Sequence, residues 1–315
     1  MSLVLYIVVP CYNEEEVLAE TTKRLTAKLD SLCQSGVIAD TSRIMYVNDG
    51  SKDRTWEMIE EYFDSNKYVT GISLSRNRGH QNALLAGLMT AKEYADVVIS
   101  MDADLQDDID AIDKFVEEYN NGAEIVYGVR SSRKKDSFFK RHTALAFYRL
   151  MARMGVDLVY NHADYRLMSK RAIEELSGFR EVNLFLRGLI PMLGFKTATV
   201  EYERDKRFAG ESKYPLKKMI YFAIDGITSC SIRPIRLITL FGFIIFLISI
   251  VMLIYIIRGH LLGGTIQGWT TQVVLTCFFG GFQIMSIGVV GEYVGKIYLE
   301  TKDRPRFIIS ETKVK

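Results

Sequence analysis

Residues suited to covalent cross-links or soft-metal binding are scarce in this chain. Its 315 residues include four cysteines, Cys11, Cys33, Cys230 and Cys277, far apart and with no Cys-x-x-Cys pair. That argues against a disulfide framework or a zinc site and fits a reducing cytosolic setting. The four histidines, His80, His142, His162 and His260, lack metal-binding spacing and are read as packing or solvent-facing side chains. Net charge is only +2, so overall charge lends nucleic-acid binding no support. No Gly-x-Gly-x-x-Gly follows the first apolar run, which argues against a dinucleotide-binding α/β fold. That run starts at the N-terminus without a basic region or cleavage site, so no signal peptide is expected.

Residues 1–231 alternate apolar runs with amphipathic stretches. Val4–Val9, Ile44–Val47, Val69–Leu74, Val97–Met101 and Ile125–Val129 predict buried strands, and the stretches near 15–34, 54–65, 80–94 and 109–121 predict helices between them. This alternation implies an α/β fold with a mostly parallel sheet covered on both faces.

The C-terminal part differs in kind. Residues 237–257 carry no charge over 21 positions, enough to cross a hydrocarbon core of about 30 Å as a helix. A second apolar stretch runs from Gln272 to Val294, with Glu292 near its end. Lys217, Lys218, Arg233 and Arg236 precede the first stretch, and Lys296, Lys302, Arg304 and Arg306 follow the second. The linker 258–271 holds only Arg258 and His260. This charge distribution predicts a multi-pass cell-membrane protein, with two transmembrane helices forming a hairpin over 232–298. The α/β domain (1–231), both termini and a tail (299–315) are then cytoplasmic. A buried helical hairpin in a soluble core is the plainer alternative. Two basic amphipathic segments, about 137–154 and 215–232, are expected at the headgroup level, with ordinary surface helices as the alternative.

Three predicted strands end in polar clusters. The first ends Val9-Pro10-Cys11-Tyr12-Asn13-Glu14, where Pro10 is expected to halt the strand and Asn13 to start a helix. A helix cap is a sufficient structural reason for that cluster. The second, Val47-Asn48-Asp49-Gly50-Ser51-Lys52-Asp53, reads as a glycine turn with Ser51 or Asp53 as N-cap. The third runs into Asp102-Ala103-Asp104-Leu105-Gln106. Alternate residues at a strand end project the same way, so Asp102 and Asp104 converge in a manner suited to a hard cation beside a diphosphate. Open α/β sheets bind ligands along the rim formed by the carboxyl ends of their strands, and three polar ends on one rim predict one site.

The ordered set Val-Pro-Cys-Tyr-Asn-Glu (9–14), Asn-Asp-Gly-Ser (48–51), Asp-Ala-Asp-Leu-Gln (102–106) and Phe208-Ala-Gly-Glu-Ser-Lys-Tyr214, followed by two apolar stretches, resembles the family-2 glycosyltransferases of GT-A fold. Within these the chain is similar, over nearly its whole length, to polyprenyl-phosphate glycosyltransferases of the dolichol-phosphate mannose synthase and bacterial bactoprenol-phosphate glucosyltransferase types. The resemblance implies inverting transfer of a hexose, glucose or an N-acetylhexosamine, from a UDP-sugar to undecaprenyl phosphate. The product would be a lipid-phospho-sugar for cell-envelope glycan modification. It also implies that Pro10, Tyr12, Glu14 and Asp49 hold the nucleoside. Asp102 would lie near the ribose and the metal, with Asp104 (also a catalytic candidate) and Gln106 binding Mg2+ or Mn2+.

The stretch Ser75–Gly87 also resembles the family. Arg76 would touch the donor there, a surface arginine being the alternative, and the small residues Gly79, Ala83, Ala86 and Gly87 would let a helix approach closely. By the same resemblance, Arg130, Arg141, Arg207 and Lys213 occupy or adjoin the family's basic acceptor positions, where arginine contacts to the lipid phosphate can be bidentate. Attraction of anionic headgroups is the generic alternative. Asp164-Tyr165-Arg166 matches the Asp-Phe/Tyr-Arg stretch of the bacterial relatives, and the resemblance implies Asp164 as the candidate catalytic carboxylate near the sugar, against a purely structural Asp164–Arg166 pair. A phosphate monoester is largely dianionic at pH 7, so a general base is not obligatory. Asp164 would then orient a sugar hydroxyl or stabilise oxocarbenium charge.

Rival functions are a GDP-mannose-dependent polyprenyl-phosphate mannosyltransferase, a processive polysaccharide synthase and a non-catalytic membrane scaffold. The synthase reading wants a Gln-x-x-Arg-Trp motif, whereas the chain has only Gln267-Gly-Trp269, in the linker. The scaffold reading is opposed by the intact Asp102, Asp104, Gln106 and Lys213. Gly280, Gly281, Gly288 and Gly291-x-x-x-Gly295 would support helix packing and a homo-oligomer. No motif reads the hydroxyl pattern of the sugar.

Overall fold

The computed structural model describes residues 2–131, 149, 151, 153–154, 162–203, 226–229, 231–261 and 268–314. Its centre is a sheet of strands β1 (Leu5–Cys11), β2 (Arg43–Asn48), β3 (Val69–Leu74), β4 (Val97–Ser100), β5 (Ile125–Arg130), β6 (His162–Ser169), β7 (Thr197–Tyr202) and β8 (Ile309–Lys313), in the order β7-β5-β6-β4-β1-β2-β3-β8. Strands β4, β1, β2 and β3 form the parallel block expected from the alternating pattern. Their residues are buried almost without exception, as strands covered on both faces require.

One face is covered by α1 (Glu15–Gln34), α2 (Thr55–Ser65) and α4 (Ala111–Asn120), through Leu18, Leu25, Ile59 and Phe115. The other face takes α3 (His80–Ala91), α5 (Lys170–Ser177) and α6 (Leu186–Met192), through Ala83, Ala86, Ile173 and Leu189. The close approach expected of α3 is realised at Gly87. A Cβ there would stand 2.3 Å from Val8 Cγ1 and 2.7 Å from Val47 Cγ2, so only glycine lets this turn rest on β1 and β2.

Several details differ from the sequence reading. Pro10 does not halt β1; it is a buried strand residue paired with Val47, and the strand runs on to Cys11. Strand β6 enters antiparallel between β4 and β5, so β5 is not a direct neighbour of β4. The 299–315 segment does not form a free tail. It returns as β8, antiparallel to β3, with Lys313 opposite Gly71 and Thr312 opposite Ile72. Its Ser-Glu-Thr-Lys run has too few apolar residues to read as a strand, yet an edge position tolerates it. Lys313 meets Glu60 there at 3.0 Å.

Among the described residues, two long helices lie between β7 and β8: α7 (Arg233–Leu261) and α8 (Trp269–Thr301). Among the described residues one helical segment is long and apolar enough to cross a membrane, Arg233–Val251, with mean hydropathy 2.4 and no buried share. The second predicted stretch lies within α8, where Ile284 and Ile287 are exposed. The end of α8 is seated on the α/β domain. Tyr293 donates to the Ser231 carbonyl at 2.6 Å and Lys296 to Ser229 Oγ at 3.0 Å. The expected interfacial segments fall mostly outside the described residues; within them Met151 and Ile227 are buried.

Candidate functional site

The first two rim turns are knitted together. Asn13 adopts a left-handed backbone (φ 53°), and its Oδ1 accepts from the Lys52 N–H at 2.9 Å. Ser51 Oγ accepts from the Asn13 N–H at 3.0 Å, and Thr55 Oγ1 from the Glu14 N–H at 2.9 Å. Asn13 is therefore a cross-link between turns and not the expected cap; Glu14 occupies the N-cap position of α1. Neither Ser51 nor Asp53 caps α2, whose N-cap position is Arg54. Asp53 instead bonds the N–H and hydroxyl of Thr55 locally. Tyr12 stands at the surface of this turn, 36% exposed, above the buried Pro10.

Asp49 is buried and accepts from the Arg78 N–H at 2.7 Å and the Gly79 N–H at 2.9 Å. Burial raises its carboxyl pKa, partly countered by those two bonds. The Asp49 side chain thus fixes the loop that carries Arg76, itself exposed. Gly50 lies against the same loop with φ 64°, and a Cβ on it would fall 2.6 Å from Asn77 N. Gly50→Ala is expected to cost about 1–2 kcal/mol from the left-handed backbone alone. The apparent melting temperature should fall by roughly 3–8 °C, read by differential scanning fluorimetry. An unchanged midpoint would show that this loop packing contributes nothing.

The third rim end supplies the paired carboxylates. Asp102 is 39% exposed at its side chain, and Asp104 Oδ1 accepts from the Gln106 N–H at 3.2 Å. Between them and Gln106, Leu105 is a buried residue at φ 56°, a strained conformation held by its surroundings. Partial removal from water raises the Asp102 pKa, and the charges of Asp164 and Asp104 add to this while His80 opposes it. Among the described residues no three His, Cys, Asp or Glu side chains close into a metal cage. The hard carboxylate oxygens of Asp102 and Asp104 nevertheless suit Mg2+ or Mn2+ with coordination positions left for a ligand's oxygens.

Asp164 arrives from β6. The register that pairs Ser100 with Arg166 carries Asp164 alongside the end of β4. Its buried carboxylate is clamped by Arg187, Nε to Oδ1 at 3.2 Å and Nη2 to Oδ2 at 2.9 Å, and it accepts a third bond from Arg166. Burial alone would raise its pKa, but Arg187, His80 and Arg166 together hold the carboxyl well below the ordinary range. His80 Nε2 stands 3.6 Å from Asp164 Oδ2 and 3.7 Å from Asp102 Oδ1, bridging the two carboxylates. Desolvation would lower its pKa, yet the two carboxylates outweigh that and raise it.

Arg130 faces Asp107 at 4.0 Å. Asp107 is buried and takes a hydrogen bond from the Tyr202 hydroxyl; burial and then the Asp102 charge push its carboxyl up to about 7. Arg141, Arg207 and Lys213 lie outside the described residues. The structure thus brings together Asp102, Asp104, Gln106 and Asp164 at one end of the sheet, beside the Tyr12–Glu14 and Asp49 turns. It also adds His80, Arg187 and Asp107. His80 was read from the sequence as packing or solvent-facing, but the residues after β3 end on the same rim as the other three clusters, and that rule extends to it. Arg187 lies in the apolar run Phe185-Leu-Arg-Gly-Leu and carries no spacing signal.

Residues 6–177 match the model of the glycosyl transferase family 2. The chain is 56% identical over 306 residues to the Bacillus subtilis glycosyltransferase YkoT, covering 97% of this chain and 91% of that protein. It is 38% identical over 309 residues to the bactoprenol glucosyl transferase of Shigella phage SfX, covering 98% and 99%. Among solved structures, mannosyl-3-phosphoglycerate synthase from Rubrobacter xylanophilus shares the fold with a TM-score of 0.50, at 17% identity over 74% of each chain.

Proposed function

Because the chain belongs to glycosyl transferase family 2, we propose that it transfers a hexose from a UDP-sugar to a polyprenyl phosphate at the cytoplasmic face of a membrane. The observation that carries this reading is the meeting of Asp102 and Asp164 across His80 at the rim of a mostly parallel GT-A type sheet. Similarity to a bactoprenol glucosyl transferase over almost the full length of both proteins supports a lipid phosphate as acceptor. The exposed apolar segment 233–251 supports a membrane location, and the basic residues flanking α7 and α8 support two spans with both ends cytoplasmic.

In the reaction an oxygen of the lipid phosphate attacks the anomeric carbon of the donor sugar. The bond from that carbon to UDP breaks, UDP departs with the electron pair, and the anomeric configuration inverts. Tyr12 and Glu14, on the first rim turn, would stack on and bond the nucleoside, with the loop fixed by the buried Asp49 beside them. Asp102, Asp104 and Gln106 would hold a divalent cation, which when bound neutralises charge on the leaving diphosphate. The two carboxylates raise the His80 pKa, which favours its cationic form beside them. Asp164 is kept anionic by Arg187, His80 and Arg166, which suits orienting a sugar hydroxyl or countering oxocarbenium charge better than taking a proton. The dianionic acceptor phosphate needs cations instead of a base, and Arg130, Arg141, Arg207 and Lys213 are the residues assigned to it.

The test is transfer in membranes containing the full chain, with undecaprenyl phosphate and a panel of UDP- and GDP-sugars, with and without EDTA, and the glycolipid read by mass spectrometry. The expected result is one UDP-hexose or UDP-N-acetylhexosamine used and activity lost in EDTA. Use of GDP-mannose alone would overturn the uridine assignment, and no transfer from any donor would favour a scaffold.

A further inference from the structure

The chain leaves the α/β domain after β7, passes through α7 and α8, and comes back as β8. On its return it is tied to two loops that carry the site. Glu300, in the last turn of α8, accepts from the Val182 N–H through both carboxylate oxygens, at 2.8 and 2.9 Å, and from the Asn183 N–H at 3.2 Å. Those residues begin the short approach to α6, whose Arg187 clamps Asp164. The same approach is pinned at its other end, where Gln81, next to His80, accepts from the Leu186 N–H at 3.0 Å. Further along, the Pro305 carbonyl accepts from Arg78 Nη2 at 3.0 Å and the Ile308 carbonyl from the Ser75 N–H at 2.9 Å. Arg78 is one of the two residues whose backbone holds Asp49.

A carboxylate that gathers adjacent backbone N–H groups makes charge-assisted bonds and fixes the loop that supplies them. The transfer chemistry makes no use of Glu300, which lies at the end of a helix read as entering the membrane. We propose that Glu300 is a positioning residue: it sets the 182–185 approach so that Arg187 stays on Asp164, and so makes transfer depend on how the end of α8 is seated. The inference rests on the reading of Asp164 and Arg187 as part of the transferase site.

The test uses the full chain in nanodiscs: wild type, Glu300→Ala, Arg187→Ala and the double variant. Glu300→Ala is expected to lower kcat about 10-fold, the scale of couplings carried through packed elements, with the donor KM within about twofold. The double variant is expected to be no slower than Arg187→Ala, because the two residues act in one chain. Losses that simply multiply would overturn the proposal. Amide hydrogen exchange supplies a readout that needs no turnover. Exchange across 182–192 should quicken in Glu300→Ala and less so in Glu300→Gln, which keeps one acceptor oxygen, with β1–β4 unchanged. Unchanged exchange across 182–192, or loosening of β1–β4 in both variants, overturns the positioning role whatever the enzyme transfers. If wild-type protein transfers no sugar but Glu300→Ala still shows the selective exchange change, only the functional reading falls.

Discussion

Asp164→Asn is expected to lose about 10^3-fold in kcat, on the scale of removing one transition-state electrostatic contact, and to melt at a lower temperature. The second effect follows from burial. Arg166 is 1% exposed and pairs with Asp164, so a neutral amide leaves a buried guanidinium without its counter-charge. Breaking such a pair costs about 3–5 kcal/mol, which lowers the apparent melting temperature by roughly 10 °C. The pH dependence has a definite sign. A carboxyl whose folded pKa is depressed contributes stability above its unfolded value of about 3.9, and that contribution is lost as pH falls through the folded value. Wild-type protein should therefore lose this contribution only in strong acid, and Asp164→Asn should lack that acid-linked loss. Because Asp164 stays ionised through neutral pH, its titration should leave no limb in the kcat profile between pH 5 and 9. A limb in that range that disappears in Asp164→Asn would show the carboxylate acting as a base and end the orienting role.

The second large effect is expected at Asp104. Asp104→Ala removes one of two convergent carboxylates and should lower transfer about 10^3-fold, consistent with the several kcal/mol a bound cation lends to a leaving diphosphate. The fold should survive, because Asp104 is only partly buried and the nearby Ala103 carbonyl stays bonded to Thr21. Mn2+ binding in the presence of UDP, followed by electron paramagnetic resonance, should weaken in parallel. Unchanged transfer together with unchanged Mn2+ affinity would remove the metal assignment.

The parallel core was legible from periodicity because β1–β4 are buried on both faces and read as continuous apolar runs. The rim rule then found the Asp49 and Asp102 turns without knowledge of the fold. Pro10 misled because a proline normally ends a strand, whereas here it sits one residue from the end of β1, where a missing N–H costs little. Strand β6 escaped because its Asp164-Tyr165-Arg166 run places two charged side chains in the interior. They are tolerable only as a mutual pair with Arg187, a long-range fact no local pattern encodes. His80 was missed for a similar reason: its partners, Asp102 just after β4 and Asp164 in β6, lie 22 and 84 residues further along the chain.

The return of the chain to the sheet also sets an order of assembly. Ser310 bonds the Ser73 carbonyl across a separation of 237 residues. At synthesis rates of about 5–20 residues per second, the outer edge of β3 waits roughly 10–50 s for its partner. During that interval α7 and α8 are made and have to find their place while an open strand edge, a template for aberrant pairing, faces the solvent. Completion of the sheet is thereby a late event, reached only after the helices are in position. A nascent chain that stalls before β8 leaves the β3 edge unprotected.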